Sequence, residues 1–168
     1  RPPAHFFRGS LGRFATGVAI VTFDAIDAEG APKRQGITVN SFTSVSMDPP
    51  LVLVSIQRTV KSHELLRERP FTVNILGAEQ QDLAMLCAGR SGALPQWEEG
   101  ELAPRLAGVL SWFECTPWAE YAGGDHTLFL GEVPSTANLV YLLVETLVAL
   151  TAGAAVFNAV DDRIAAEV

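Results

Sequence analysis

The sequence predicts a mainly β protein, a small antiparallel barrel with a few helices packed against it. Five or six short runs of its 168 residues are rich in β-branched side chains, and glycine and proline turn signals separate them. Only two clear helical segments follow, so the strand and helix alternation of a doubly wound parallel sheet is missing. Closing such short strands into a barrel removes the exposed edges of an open sheet.

The start of the chain predicts a helical turn and then a hairpin. Residues 10–17 (SLGRFATG) suit one helical turn, and residues 18–23 (VAIVTF) form a β-branched run that is typical of a strand. Gly30 and Pro32 indicate a hairpin loop. The chain then resumes as one second strand over residues 35–46 (QGITVNSFTSVS).

The middle of the chain predicts strands that alternate with short helices. Residues 48–50 (DPP) enforce a turn, because proline fixes its own backbone and disfavours helix in the preceding residue. Ser62 is a good N-cap for a short helix that Pro70 ends, and Gly89 suits the C-terminal cap of the next helix. The elements follow in the order strand 51–57, helix 62–69, strand 71–76 and helix 78–89.

The last third predicts two more strands and an apolar tail. After a loop over residues 90–104, strands at residues 106–116 and 126–133 are joined around residues 120–125. Residues 139–160 approach the length of about 20 apolar residues that crosses a bilayer, but an acidic residue interrupts them and the flanks lack a basic anchor. We therefore expect this stretch to pack on the core or on a second subunit, with no membrane span.

Composition limits the class of protein and its partners. With 48% apolar and 18% charged residues the chain folds as one domain, and its net charge of −7 without a basic patch argues against nucleic acid or an anionic membrane. Cys87 and Cys115 lie far apart, outside any zinc or disulfide spacing, so we expect a reduced, cytoplasmic protein. Residues 1–10 carry no signal-peptide run. Rossmann, P-loop and serine-hydrolase glycine motifs are missing from the sequence.

A cationic and a hydroxyl side chain are adjacent at the start of the helix predicted over residues 62–69. Lys61 and Ser62 follow the third strand in the stretch RTVKSH. The free N–H groups and the dipole of a helix start favour an anion, while Lys61 adds a full charge and Ser62 a hydrogen bond. The pattern indicates a phosphate site, and a plain N-cap is the structural alternative.

The second predicted strand is unusually dense in small polar side chains. The stretch from Thr38 to Ser46 (TVNSFTSVS) offers hydroxyls and backbone groups to a ring that carries carbonyl and N–H groups along one edge. Val39 and Phe42 would supply the apolar contact. An exposed strand face is the alternative interpretation.

A glycine-rich hairpin end places an acid beside an imidazole. In residues 123–127 (GGDHT), His126 is suited to donate to a carboxamide or to influence an anionic ring. A lone histidine at a hairpin end is also commonly structural. His5 and His63 lie elsewhere in the sequence, so no metal-ligand spacing emerges.

Six collinear stretches between Phe6 and Val133 resemble the short-chain flavin reductases, the reductase components of two-component flavin-dependent monooxygenases. These stretches are FATGVAIVT, GITVNSFTSVSMDPPLVLVSI, RTVKSHELL, FTVNIL, AMLCAG and GDHTLFLGEV. The resemblance implies an antiparallel split β-barrel, a homodimer and an NADH- or NADPH-dependent flavin reductase. It further implies that reduced FMN or FAD is released to a partner monooxygenase.

The resemblance also implies a role for each matching position. The residues expected to line the ring are Thr38, Val39, Asn40, Ser41, Phe42, Thr43 and Ser44, with Ser55 and Ile56 flanking it. Lys61 and Ser62 are expected to hold phosphate, and Cys87, Ala88 and Gly89 to approach the flavin with a small-residue turn. Asp125 and His126 are expected to be the catalytic pair beside the nicotinamide.

The chain departs from this family after Val133. We expect residues 1–134 to form the split-barrel domain, and residues 135–168 to form an atypical apolar segment packed on the barrel or the dimer interface. Two other functions stay open at this point: a non-catalytic flavin carrier or sensor on the same barrel, and a protein tethered to a membrane through residues 139–160.

Overall fold

A computed structural model of the chain describes residues 4–27, 29–92 and 94–134. The predicted C-terminal segment, residues 135–168, lies outside the described residues, and so does the apolar stretch within it. The elements are α1 (Ala4–Leu11), β1 (Ala19–Ile26), β2 (Pro32–Val39), β3 (Thr43–Met47), β4 (Pro50–Gln57), α2 (Ser62–Leu66), β5 (Phe71–Ile75), α3 (Gln81–Cys87), β6 (Trp97–Glu98), β7 (Arg105–Leu106), β8 (Ser111–Gly123) and β9 (His126–Glu132). A 3₁₀ turn, Ala78–Gln80, precedes α3. Within the described ranges no helix is long and apolar enough to cross a membrane.

Seven strands form one antiparallel sheet in the order β2-β1-β5-β8-β9-β4-β3. The long strand β8 pairs with β5 through its first half and with β9 through its second half. Its register with β9 shifts between Pro117 and Ala119, a bulge that increases the local bend of a strand. Strands β2 and β3 are neighbours in sequence, yet they lie at opposite margins of the sheet. The predicted split barrel of a mainly β protein is therefore confirmed.

The core fills the inside of the sheet with alternating side chains. On β1, Val21 and Phe23 are fully buried, and they pack with Phe71 and Val73 of β5. Leu66 of α2 is 1% exposed and joins the same cluster, so the helix covers part of the barrel interior. Burying a large apolar side chain contributes about 1.5–3 kcal/mol, and this alternation is what fixes the strand register.

Three buried polar side chains lie on the face of β1 and β5 that points away from the apolar core. Thr22, Thr72 and Asn74 are fully buried, and they bond to the segment that contains β7. The Thr72 hydroxyl donates to the Ala103 carbonyl at 3.2 Å, and the Leu106 N–H donates to the Asn74 side-chain oxygen at 2.9 Å. These bonds hold residues 103–106 against the outside of the sheet, so the segment satisfies polar groups that burial would otherwise leave unpaired.

Most predicted elements are present, but several boundaries were wrong. The predicted strand 106–116 is divided between β7 and β8, and β8 continues to Gly123, through most of the predicted connection at residues 120–125. The predicted helix 62–69 ends at Leu66, and the predicted helix 78–89 is a 3₁₀ turn followed by α3, which ends at Cys87. The N-terminal helix spans Ala4–Leu11 and does not lie within residues 10–17, which contain its last residues and a turn. The predicted second strand is divided into β2 and β3, because residues 40–42 cross from one margin of the sheet to the other. The predicted loop over residues 90–104 contains the short strand β6.

Candidate functional site

The closure of the barrel involves two of the predicted ring-binding residues. The Ser41 hydroxyl accepts a hydrogen bond from the Ser55 N–H at 2.9 Å and donates one to the Ser55 carbonyl at 3.0 Å. A side chain thus does what a neighbouring strand does in a ladder, because it pairs both backbone groups of one residue in β4. Since Ser41 lies between β2 and β3, this pair of bonds fixes the crossing segment against β4.

The side chains around this crossing segment point to two different faces. Val39 and Ile56 are 7% and 2% exposed and belong to the core, so only their main-chain atoms can face a ligand outside the barrel. Phe42 packs against the core and stacks on Phe113, with ring centroids 5.4 Å apart. The exposed members of the predicted ring-binding set are Asn40, Thr43 and Ser44.

Thr38 connects β2 to the helix that carries the predicted small-residue turn. Its hydroxyl donates to the Ala84 carbonyl of α3 at 2.6 Å. The neighbouring Gly36 allows close contact, since a Cβ atom there would lie 2.8 Å from the Cys87 sulfur. The end of α3 is thereby held beside the ring-binding strand.

The turn after α3 is built as its sequence predicts. Gly89 has a φ of +81°, a left-handed conformation that favours glycine at a helix C-terminus. The Ala88 N–H donates to the Ala84 carbonyl at 3.0 Å, and the Gly89 N–H to the Leu86 carbonyl at 2.9 Å. Burial raises the pKa of the Cys87 thiol, which therefore enters this turn as a neutral, weakly polar group.

The predicted phosphate position differs from its expected geometry. Lys61, not Ser62, occupies the N-cap position of α2, and it has helical dihedral angles and no side-chain cap bond. Ser62 is the first helical residue, and its hydroxyl donates to the Gln35 side-chain oxygen of β2 at 3.3 Å. The plain N-cap interpretation of Ser62 is therefore wrong. Lys61 is exposed, and within the described ranges no hydrogen bond or ion pair to its side chain is found.

The predicted acid and imidazole form a pair at the tip of the β8–β9 hairpin. Gly124 has a φ of +74°, as a tight hairpin turn requires. The His126 Nδ1 lies 2.8 Å from an Asp125 carboxylate oxygen, and the two side chains are 39% and 81% exposed. With Nδ1 facing the carboxylate, Nε2 is the ring nitrogen left to meet a ligand.

The end of β4 brings the hairpin and the phosphate position to one end of the sheet. Gln57 is paired with His126, and the Arg58 N–H donates to the Asp125 carbonyl at 3.0 Å. Lys61 follows three residues later in the same turn. Ser55 lies further along β4 and Ser41 is hydrogen-bonded to it, so β4 connects all these groups.

Four residues near this turn were assigned no individual role from the sequence, although three of them lie within the candidate stretches RTVKSH and GGDHT. Side-chain contacts that join β2, the turn after β4, α2 and β9 are made by Gln35, Arg58, His63 and Thr127. His63 and Thr127 are only 4% and 7% exposed, although both are polar. The sequence signal that could have identified Arg58, His63 and Thr127 is that each is a polar residue near a predicted functional position. Their hydrogen-bond partners could not be identified, because the paired residues are 27 to 69 positions apart in the sequence.

The surface cavities of the described part of the chain include three that the predicted ring-binding residues do not line. One of about 480 Å³ lies between the end of α2 and the bulge of β8, and one of about 390 Å³ lies between α2 and the β8–β9 hairpin. The third, of about 330 Å³, lies between the start of β1 and the start of α3.

Comparison with known proteins decides the family. The model of the flavin reductase like domain matches residues 11–139. The chain belongs to this family. The flavin reductase-like chain is 40% identical over 136 residues to the NADH-dependent flavin reductase of a Rhodococcus species, which covers 78% of this chain and 74% of that protein.

Solved structures of flavin reductases have the same fold. The flavin reductase PheA2 in its native state is 38% identical with a TM-score of 0.71, and the match covers 79% of the flavin reductase-like chain and 85% of that protein. The styrene monooxygenase flavin reductase from Pseudomonas putida S12 is 38% identical with a TM-score of 0.66, over 76% and 82% of the two chains. The family resemblance predicted from the sequence is confirmed.

The exposed surface of the flavin reductase-like chain suits an isoalloxazine ring. Such a ring needs a polar edge partner and a close backbone approach to its face. The crossing segment, residues 40–42, offers the exposed side chain of Asn40, and the start of β3 offers those of Thr43 and Ser44. An exposed lysine without a described ion-pair partner suits the charge of a flavin phosphate. The residues present therefore fit a flavin.

Proposed function

We propose that this chain is an NADH-dependent flavin reductase that releases reduced FMN or FAD to a partner monooxygenase. The observation that carries the proposal is the family match over residues 11–139, which spans every predicted site residue. The names of its relatives favour NADH over NADPH as the reductant, and the name of the styrene monooxygenase reductase favours a monooxygenase as the acceptor.

The ring surface is proposed to run along the crossing segment and β4. Thr38 to Ser44 would line the ring, and Ser55 and Ile56 would flank it, Val39 and Ile56 through their main-chain atoms. The hydroxyls of Thr38 and Ser41 already donate to carbonyls, so they can act toward a ligand only as acceptors. The Thr43 hydroxyl likewise donates to the Ser44 carbonyl, at 3.3 Å, so direct donors to the ring are proposed to come from Asn40, Ser44 and the backbone.

Other residues are proposed to bind the flavin phosphate and the nicotinamide. Lys61 would bind the flavin phosphate, with Ser62 beside it, and the turn Cys87–Gly89 would approach the ring through small residues. Asp125 would hold His126 through Nδ1, so that Nε2 faces the nicotinamide carboxamide. A bound flavin supplies the hydride-accepting chemistry, and these residues bind and orient the reactants at the close distance that hydride transfer requires.

Anaerobic mixing tests the proposed function. The purified protein is mixed with NADH or NADPH in the presence of FMN, FAD or riboflavin, and the flavin absorbance band is followed. A reductase bleaches the band and consumes the nicotinamide in proportion to added flavin. A protein that purifies yellow and stays yellow when NADH is added is a flavin carrier or sensor, and this outcome would refute the proposal.

A homodimer is part of the same proposal. The edge strand β3 presents Val45 and Met47, which are 48% and 88% exposed, and an exposed apolar edge is a common association surface. Residues 135–168 are proposed to contribute to this or another subunit contact. Light scattering at micromolar concentration tests the proposal, and a monomer would contradict it. Cytoplasmic localisation stays a prediction.

A further inference from the structure

The short helix α2 is fastened to the barrel on two sides. On one side the Ser62 hydroxyl donates to Gln35 of β2. On the other side His63, the next residue, lies 2.8 Å through Nε2 from the hydroxyl of Thr127 in β9. The helix therefore connects a marginal strand of the sheet to the hairpin that carries His126.

On the side of α2 that faces β9, His63 belongs to a continuous chain of hydrogen-bonded side chains that runs from Glu64 to Arg58. Glu64 lies 2.9 Å from His63 Nδ1, and the Arg58 Nε donates to the Thr127 hydroxyl at 3.4 Å. Both ends have fixed roles, because a carboxylate accepts and a guanidinium donates. All contacts are satisfied when His63 donates from Nδ1 to Glu64 and Thr127 donates its hydroxyl proton to Nε2. The ring also packs edge-on against Phe129, with centroids 5.4 Å apart.

These hydrogen bonds connect the neighbours of Lys61, the proposed phosphate-binding residue, to the neighbours of His126, the proposed nicotinamide-binding residue. Thr127 directly follows His126, and its side chain is buried where that of His126 is half exposed. Lys61 directly precedes Ser62 and His63 at the start of α2. The contact between His63 and Thr127 therefore sets the position of the proposed phosphate-binding end relative to the proposed nicotinamide-binding end.

We propose that His63 and Thr127 are positioning residues that hold the flavin phosphate site and the nicotinamide site at a fixed separation. The inference rests on the proposed function. It assigns to two buried side chains, which line the cavity of about 390 Å³ between α2 and the β8–β9 hairpin, a role that acts through Lys61 and His126. Loss of the contact should disturb both ligands together, whereas a change at either end should disturb one.

The decisive variant is Thr127→Val, which keeps the shape of the side chain and removes its hydroxyl. The flavin dissociation constant, from quenching of flavin fluorescence without NADH, and the KM for NADH should each rise about three- to tenfold, the range that loss of one hydrogen bond produces. Thr127→Ser, which keeps a hydroxyl, should restore both constants. Lys61→Ala should raise mainly the flavin dissociation constant, and His126→Ala mainly the KM for NADH.

A matched control separates positioning from general stability. Thr116→Val removes a hydroxyl that donates to the Glu132 carbonyl at 3.4 Å, at the opposite end of the β8–β9 pair from Thr127, and it should leave both constants unchanged. If Thr127→Val does not fold, Glu64→Ala replaces it, because the Glu64 side chain is 70% exposed. Glu64→Ala should raise both constants, and Glu64→Gln, which keeps an acceptor for His63, should restore them.

Two results would overturn the inference. Either both constants stay at wild-type values in the folded Thr127→Val or Glu64→Ala variant, or the restoring variants are as impaired as the disruptive ones. Failure of the proposed function looks different, because the wild-type protein itself would then neither bind flavin nor oxidise NADH.

Discussion

Replacing Ser41 by alanine should weaken the closure of the barrel. The hydroxyl of Ser41 pairs both the N–H and the carbonyl of Ser55, at 2.9 and 3.0 Å. Each such bond contributes a net 0.5–1.5 kcal/mol, roughly, so the free energy of unfolding should fall by about 1–3 kcal/mol. Because Ser55 is half-buried, water can replace part of what is lost, and the lower half of this range is the expected result.

Urea unfolding followed by tryptophan fluorescence measures this change. The midpoint should shift at an unchanged slope, since the surface exposed on unfolding stays the same. Ser44→Ala is the matched control, because Ser44 is exposed and its side chain has no hydrogen bond to another described residue. The control should stay within about 0.5 kcal/mol of the wild type. Equal stability of Ser41→Ala and the control would refute the role of this hydroxyl in closing the barrel.

Three further changes test other parts of the structure by the same unfolding assay. Gly36→Ala should destabilise by about 1–3 kcal/mol, because its Cβ would lie 2.8 Å from the Cys87 sulfur, and adding Cys87→Ala should recover most of the loss; a stable single variant would contradict this contact. Glu68→Gly should stabilise by up to about 1 kcal/mol, because Glu68 has a φ of +57° in the left-handed region, and a loss of stability would show that the Glu68 side chain matters more than its backbone. Burial and the neighbouring carboxylate raise the pKa of Cys115 to about 12, so the folded protein keeps a proton that the unfolded chain releases above its usual pKa of 9.0. Stability should therefore fall as the pH rises from 9 to 12, by up to about 1.4 kcal/mol per pH unit, and Cys115→Ala should remove this part of the slope; an identical slope in that variant would exclude Cys115 as its source.

Local signals predicted most strands and the presence of α2 and α3, although both helices end before the predicted residues. Proline at positions 49 and 50 and the left-handed Gly89 mark their turns through backbone restrictions that act within a few residues. The N-terminal helix was misplaced although Pro2 and Pro3 stand just before it, a position that favours a helix start. Such signals are local, so a single sequence can reveal them.

The division of the second strand could not be predicted in this way. Residues 40–42 contain neither glycine nor proline, and their alternation continues that of the flanking strands. What separates β2 from β3 is the closure of the whole sheet, which depends on residues far away in sequence. The same reason hides the partners of the site: Ser62 meets Gln35, and His63 meets Thr127, only after the barrel has formed.

Strands β2 and β3 form the two margins of the sheet, and the place where these margins meet is the seam of the barrel. A flavin bound along residues 38–44 would touch both sides of this seam. Flavin binding and closure of the seam between β2 and β3 would then be thermodynamically coupled. A ligand that prefers the closed form stabilises it by about 2.7 kcal/mol at a hundredfold excess over its dissociation constant. Backbone amides of both marginal strands should therefore exchange hydrogen more slowly together when flavin is added, and an enzyme that has released its product would be the looser of the two forms.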